Sequence, residues 1–432
     1  MNNPGSWGHI FAPLRHAEWS GCTPTDLVFP FFLFIVGMAS FFSFRKFDFA
    51  LTPQSFFKVL KRSVLIFVIG FGLNAFPFLP KSVVSWGVDY ESIRIFGVLQ
   101  RIALAYFLGA SICLLLKKTK YLIGAGAILM LAFWAILYVA YPAAPYHKQN
   151  NACRDVDMAI PGENHVYRGN WGIVSIDDIK ITPVAPAAIE VTAKPGADID
   201  ICKVRLSNTD DFYLERDTQA GGLRYTVTPK EEAASVKILS MDVLPQITRA
   251  RLIGPDPEGL LGVISAAATV IFGFLVGRLI NRRNKDGKEN VVLYLFLYGL
   301  PAIFIGMFWG QWFPINKPLW TGSYVLYTGG LAMVILAFFI WLMDVKAKER
   351  LFKPFVAFGS NPLFLFVLAG VIAKILSRIK IEGVGAYSWL YANIYSPAFG
   401  DKLGSLLQAL TLVFVMWAIA QVLYQRKIYI KV

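Results

Sequence analysis

Apolar runs of membrane-spanning length recur along this chain of 432 residues, at about 27–45, 61–80, 95–116, 120–141, 258–280, 291–313, 322–343, 354–377 and 403–424. A spanning helix needs roughly 20 mostly apolar residues, because hydrocarbon offers no water to a bare backbone N–H or C=O. With 56% hydrophobic and only 16% charged residues, a soluble globule of ordinary composition is excluded. The pattern predicts an all-α polytopic membrane helix bundle of about nine to ten transmembrane helices.

The net charge is +14. Many of its basic residues fall in alternate loops: Arg45 to Arg62, Lys117 to Lys120, Arg282 to Lys288, Lys346 to Lys353, and the tail Arg426 to Lys431. Lys and Arg concentrate on the cytoplasmic side of membrane proteins, so orientation accounts for the charge and nucleic acid is not indicated as a partner. The opposite face then receives residues 1–26, a short loop near 81–93, the turn at 314–318, the loop at 381–402 and the long segment 142–257. A chain starting outside the cytoplasm without a signal peptide predicts a further helix upstream of Met1, or a short translocated tail.

Segment 142–257 interrupts the apolar pattern. Ala188–Ala193, Ile199–Leu206, Leu223–Thr228 and Val236–Leu239 are short, β-branched or alternating, and are separated by Pro, Gly, Asn and Asp. It reads as a small extracytoplasmic β domain inserted between an N-terminal membrane part (1–141) and a C-terminal one (258–432). Cys153 and Cys202 both lie inside it, where a disulfide and two free thiols are both open. The four cysteines show no CxxC or other metal-ligand spacing, so no metal site is expected.

The polar residues at the mouths of these spans carry the chemistry. His16 and Asp26 precede the first apolar run, and an ionisable pair placed there points to function unless Trp7, Trp19 and Arg15 merely anchor the segment at the interface. Arg94 and Arg101 share a helix face; an Arg well inside an apolar helix costs about 2.5–3.5 kcal/mol, so it should face protein, a cavity or a ligand. Asp256 and Glu258 flank Pro257 at a helix start. Asn316 and Lys317 sit in a tight turn with Trp320 and Tyr324 at interfacial depth, Asn361 reads as a helix cap, and Lys374 reads as snorkelling. An imidazole can take a proton or briefly carry an acyl group while a carboxylate holds its tautomer. GxSxG, HExxH, Walker A and dinucleotide fingerprints in the right setting are all missing.

The blocks NNPGSW, LRHAEWSGCTPTDLVFPFFLFIVG, RIFGVLQRIALAY, DPEGLLGVISAAATVIFG, PINKPLWTGSYVL and FGSNPL, in order from residue 2 to about 368, resemble the membrane acyltransferases related to heparan-α-glucosaminide N-acetyltransferase, in a bacterial form. The resemblance implies transfer of acetyl from cytoplasmic acetyl-CoA, the acyl donor and partner, to an amino sugar or glycan across the bilayer of a bacterial inner membrane. The family's proposed active-site histidine falls on His16, its preceding asparagine on Asn2 with Asn3 as the fallback, and its TDLVFP aspartate on Asp26. Asn3, Arg101, Asn316 and Lys317 are candidates for holding donor or acceptor. The 142–257 insert is foreign to the family pattern. A rival expectation is a transporter for a glycan or lipid-linked sugar, though internal repeats are not evident. The oligomeric state stays open, a homodimer included.

Overall fold

The computed structural model describes residues 3–17, 20–79, 95–140 and 260–430, with the backbone of eight strands between 154 and 245. Asn2, Trp19, Arg94, Asp256, Glu258 and the side chains of Cys153 and Cys202 lie outside the described residues. The chain divides into two compact units, 1–131 with 263–432, and 132–262.

The helices follow the apolar runs: α1 (Val28–Phe44), α2 (Pro53–Ala75), α3 (Val98–Leu115), α4 (Thr119–Ala140), α5 (Gly262–Arg283), α6 (Lys288–Trp309), α7 (Gly322–Ile340), α8 (Lys353–Ser360), α9 (Pro362–Arg378), two short helices α10 (Ala386–Leu390) and α11 (Ser396–Phe399), and α12 (Asp401–Gln425). Most are apolar all round, as expected of helices surrounded by protein and lipid rather than water. Small residues set the closest crossings. A Cβ on Gly37 of α1 would collide with the backbone carbonyl of Val270 on α5, and one on Gly273 with that of Phe34. Thus α1 and α5 touch backbone to backbone, the packing available where lipid supplies no hydrophobic drive between helices.

Among the described residues, seven helices are long and apolar enough to cross a membrane, or eight if the bent pair α8–α9 counts as one span. Nine to ten were expected, and two local causes set apart the runs that do not qualify as straight spans. Helix α2 carries Lys58, Lys61 and Arg62, and its charge-free part Ser63–Ala75 rises only about 20 Å, short of the roughly 30 Å hydrocarbon core. The run at 354–377 breaks at Asn361, where the axis turns by 81°. Pro362 pushes the residue before it out of the helical region, and Asn361 sits at φ −138°, ψ 50°.

Two polar residues read as ordinary from sequence act differently. Asn361 makes no side-chain cap bond to its own helix. Instead its Nδ2 donates to Ile428 O (3.0 Å) and its Oδ1 accepts from Ile430 N (2.7 Å), clamping the C-terminal tail. Lys374 does not snorkel: its ammonium donates to Leu73 O in the last turn of α2, where a cation is favoured.

In the second unit, β1 (Arg154–Asp157), β2 (Arg168–Gly169), β3 (Ile179–Ala185), β4 (Ala188–Ala193), β5 (Ile199–Leu206), β6 (Phe212–Asp217), β7 (Arg224–Pro229) and β8 (Ile238–Pro245) pair into two antiparallel sheets of order β2-β1-β8-β5 and β3-β4-β7-β6. In the first unit, β9 (Lys380–Ile381) and β10 (Val384–Gly385) form a small hairpin before α10.

Candidate active site

The stretch Thr23-Pro24-Thr25-Asp26 opens a short 3-10 turn that runs into α1, with Pro24 at the position where a missing N–H costs nothing. Its hydroxyls reach back to the preceding segment: Thr23 Oγ1 donates to Arg15 O (2.6 Å) and Thr25 Oγ1 to Leu14 O (2.9 Å). His16 is thereby presented beside Asp26. The Asp26 carboxylate is buried, whereas the His16 side chain is 37% exposed, so the ring is reachable from outside the protein.

Asp26 Oδ1 lies 2.6 Å from His16 Nδ1 and 3.0 Å from Lys317 Nζ. Its other oxygen, Oδ2, accepts from the backbone N–H groups of Ala17 (3.0 Å) and Thr23 (3.1 Å). At 2.6 Å the ring nitrogen must carry the proton, since two acceptors would repel, so Nδ1–H donates to Asp26, and in the neutral ring this leaves Nε2 as the lone-pair nitrogen. Lys317 Nζ lies 3.1 Å from the same Nδ1. A nitrogen that donates to Asp26 cannot accept from an ammonium, so Lys317 pairs with the carboxylate and stands beside the ring. The Cys22 thiol is pushed up to about 12, by burial first and then by the Asp26 carboxylate, with the Lys317 ammonium opposing. It is an un-ionised neighbour rather than a nucleophile.

Lys317 arrives from a distant turn held by buried groups. Asn316 Oδ1 accepts from Leu319 N (2.9 Å), and Thr321 Oγ1 accepts from Asn316 N (3.0 Å). Arg101 of α3 donates through Nη2 to Pro318 O (2.9 Å) and through Nη1 to Lys317 O (3.5 Å), with its guanidinium 5.5 Å from the Trp320 ring centre. Gly21, at φ +106°, donates its N–H to Ile315 O (2.8 Å) and ties this turn to the His16 segment. Trp320 and Tyr324, read as interfacial, are instead fully buried. Their polar tips are satisfied inside: Trp320 Nε1 donates to Thr269 Oγ1 (2.9 Å) and Tyr324 Oη to Asp26 O (2.7 Å).

Of the candidates named from sequence, His16, Asp26 and Lys317 meet in one cluster. Arg101 and Asn316 are buried among the carbonyls and N–H groups of the turn beneath it. The Asn3 carbonyl accepts from Tyr387 Oη (2.8 Å), placing that residue against α10. Thr23, Thr25 and Tyr324 were missed as supports; the T-x-x-D spacing, akin to a capping box, was the available signal for Thr23.

A groove of about 710 Å³ runs between α4, α5, α6 and α7. Along α5 it extends from Ala268 to Arg283, about 22 Å at 1.5 Å per residue. One end carries Arg278, Arg282 and Arg283; the other reaches Ala268 and Val325, next in sequence to Thr269 and Tyr324. Its walls between are almost wholly apolar. Among the described residues, no group of His, Cys, Asp or Glu could hold a metal ion.

The heparan-α-glucosaminide N-acetyltransferase of Homo sapiens is 24% identical over 375 residues, covering 82% of this chain and 48% of that protein. The enzyme of the same name from Mus musculus is 24% identical over 435 positions, covering 97% of this chain and 56% of that protein. The chain is a distant homologue of this enzyme family. It spans about half the length of the relatives it matches. No family model matches the chain. Both alignments cover most of the chain, as the motif blocks in its membrane part imply.

Proposed function

We propose that this protein is a multi-pass membrane acyltransferase that moves an acetyl group from acetyl-CoA to the amine of an amino sugar or glycan. In this reading the membrane is the bacterial inner membrane, the basic loops face the cytoplasm, and the His16 segment lies outside together with a small β domain formed by 142–257. The observation that carries the proposal is the buried Asp26 carboxylate 2.6 Å from Nδ1 of a half-open imidazole; the same membrane unit also holds an apolar groove with a cationic end. Arg278, Arg282 and Arg283 suit the phosphates of a CoA thioester, and the apolar walls suit its arm. Distant homology to N-acetyltransferases supports the same class.

As nucleophile, His16 Nε2 attacks the thioester carbonyl, the C–S bond breaks, and CoA leaves as a thiolate; the acceptor amine then takes the acetyl group from the imidazole and loses a proton to it. As general base, His16 Nε2 instead takes the amine proton while the amine attacks the thioester directly, the C–S bond breaks and CoA leaves as a thiolate. Both routes place positive charge on the ring, which Asp26 steadies. An ammonium carries three donors, so Lys317 can hold Asp26 and still offer an N–H to the carbonyl oxygen of the thioester. Asn2 would be a second donor there; removing one such donor typically costs about 2.7–4 kcal/mol of transition-state stabilisation.

The test is labelled acetyl transfer from acetyl-CoA to glucosamine in proteoliposomes. His16→Ala is expected to abolish transfer while the protein stays folded and inserted, with rapid-quench mass spectrometry of the wild type looking for acetyl on His16. Near-normal turnover of His16→Ala would remove His16 from the chemistry. Glycan flux into vesicles without CoA would point to transport instead.

A further inference from the structure

Residues 3–9 lie against the α10–α12 region through backbone contacts that fix their outward face. Gly5 N donates to Ser405 O (3.2 Å), Ser6 N to Ser405 Oγ (3.0 Å), and Tyr387 Oη to Asn3 O. A Cβ on Gly5 would stand 2.7 Å from both Gln408 Oε1 and the Tyr391 ring, so the close approach depends on glycine. Further along, Arg15 Nη2 donates to Gly8 O (3.3 Å), which links this docked stretch to the turn bearing His16.

On the outer side of the docked stretch stands a second cluster that the chemistry above does not use. His9 Nδ1 lies 3.0 Å from Tyr391 Oη, the two rings stack with centroids 6.3 Å apart, and His9 Nε2 is 3.7 Å from Asp401 Oδ2. Asp401 Oδ1 accepts from Ser396 Oγ (2.6 Å) and lies 3.5 Å from Tyr391 Oη. Nevertheless the Asp401 side chain is 58% exposed, and Trp7 two residues before His9 is 66% exposed.

We infer that Trp7, His9, Tyr391 and Asp401 form a sugar subsite for an acceptor oligosaccharide carrying free amines, one unit resting there while another presents its amine to His16. An aromatic ring takes the C–H face of a pyranose, and a carboxylate already held by neighbours pairs with an ammonium or two hydroxyls with little ordering cost. Interfacial anchoring would explain an exposed tryptophan, yet it has no use for an exposed carboxylate fixed by a serine, a histidine and a tyrosine. The inference rests on the acyl-transfer reading for its role, while its test does not require turnover.

The probes are a β-1,4-linked glucosamine tetramer and its fully N-acetylated counterpart, titrated without acetyl-CoA against the full-length protein in nanodiscs. Saturable binding of the glucosamine tetramer is expected, at least tenfold tighter than its acetylated counterpart, with Asp401→Asn weakening it tenfold or more. Trp7→Ala, which removes a ring 66% exposed, is expected to weaken it at least fivefold. Equal binding of the two tetramers, or retention of affinity within twofold in both variants, would overturn the subsite. A separate titration of the wild type with acetyl-CoA alone reports on the acyl-transfer reading, so either idea can fail without the other.

Discussion

Replacing Asp26 by asparagine changes one oxygen to an NH₂ in a place where both oxygens face donors. On one side stand His16 Nδ1 at 2.6 Å and Lys317 Nζ at 3.0 Å; on the other stand the N–H groups of Ala17 and Thr23 at 3.0 and 3.1 Å. Backbone N–H groups cannot become acceptors, whereas an imidazole can move its proton to the other nitrogen. The amide NH₂ is therefore expected to turn toward His16, which then accepts at Nδ1 and carries its proton on Nε2, the nitrogen that the proposed reaction uses. An aspartate-to-amide change in a triad of this kind lowers kcat about 10⁴-fold, or about 5 kcal/mol of barrier. Lys317, mostly buried, also loses its counter-charge, which adds about 2 kcal/mol of destabilisation after allowance for its partial exposure. The assay is acetyl transfer to glucosamine at saturating acetyl-CoA, with thermal unfolding of the detergent-solubilised variant measured alongside. Retention of more than a tenth of wild-type kcat in a folded Asp26→Asn protein would refute the tautomer argument.

Two further outcomes follow from the same geometry. Arg101→Met leaves the carbonyls of Pro318 and Lys317 without their donor and the Trp320 face without its cation, so a loss of about 2 kcal/mol in stability and a fall in kcat larger than any rise in KM are expected; unchanged melting and turnover would show that the turn does not depend on it. The raised Cys22 pKa, about 12, keeps the thiol protonated at neutral pH. Peptide mass spectrometry should find its iodoacetamide labelling at pH 8 on the order of 10³ slower in the folded than in the unfolded protein, rising tenfold per pH unit toward pH 11, and rapid labelling at pH 8 would contradict that burial.

The helices were legible because a missing charge over about 20 residues has few other meanings, and α5, α6 and α7 begin and end within a few residues of the apolar runs that announced them. Length alone misled at α2, where three cations occupy the first half, and at Asn361, where the following proline outweighs a continuous apolar pattern. The pairing of His16 with Asp26 is local, ten residues apart, and both lie in one quoted block. Lys317 stands 291 residues from Asp26, and no periodicity connects them; only a motif marked it for attention. The depth of Trp320 and Tyr324 was misread because an aromatic ring with a polar tip suits an interface and a satisfied core equally, and the deciding partners, Thr269 and Asp26, come from other helices.

Tyr324 and Val325 are consecutive on α7, yet they look to different compartments of the molecule: the first grips the Asp26 carbonyl, the second forms part of the groove wall. One peptide unit therefore joins a residue that faces the groove to one bonded to the backbone of Asp26, whose carboxylate lies against the His16 ring.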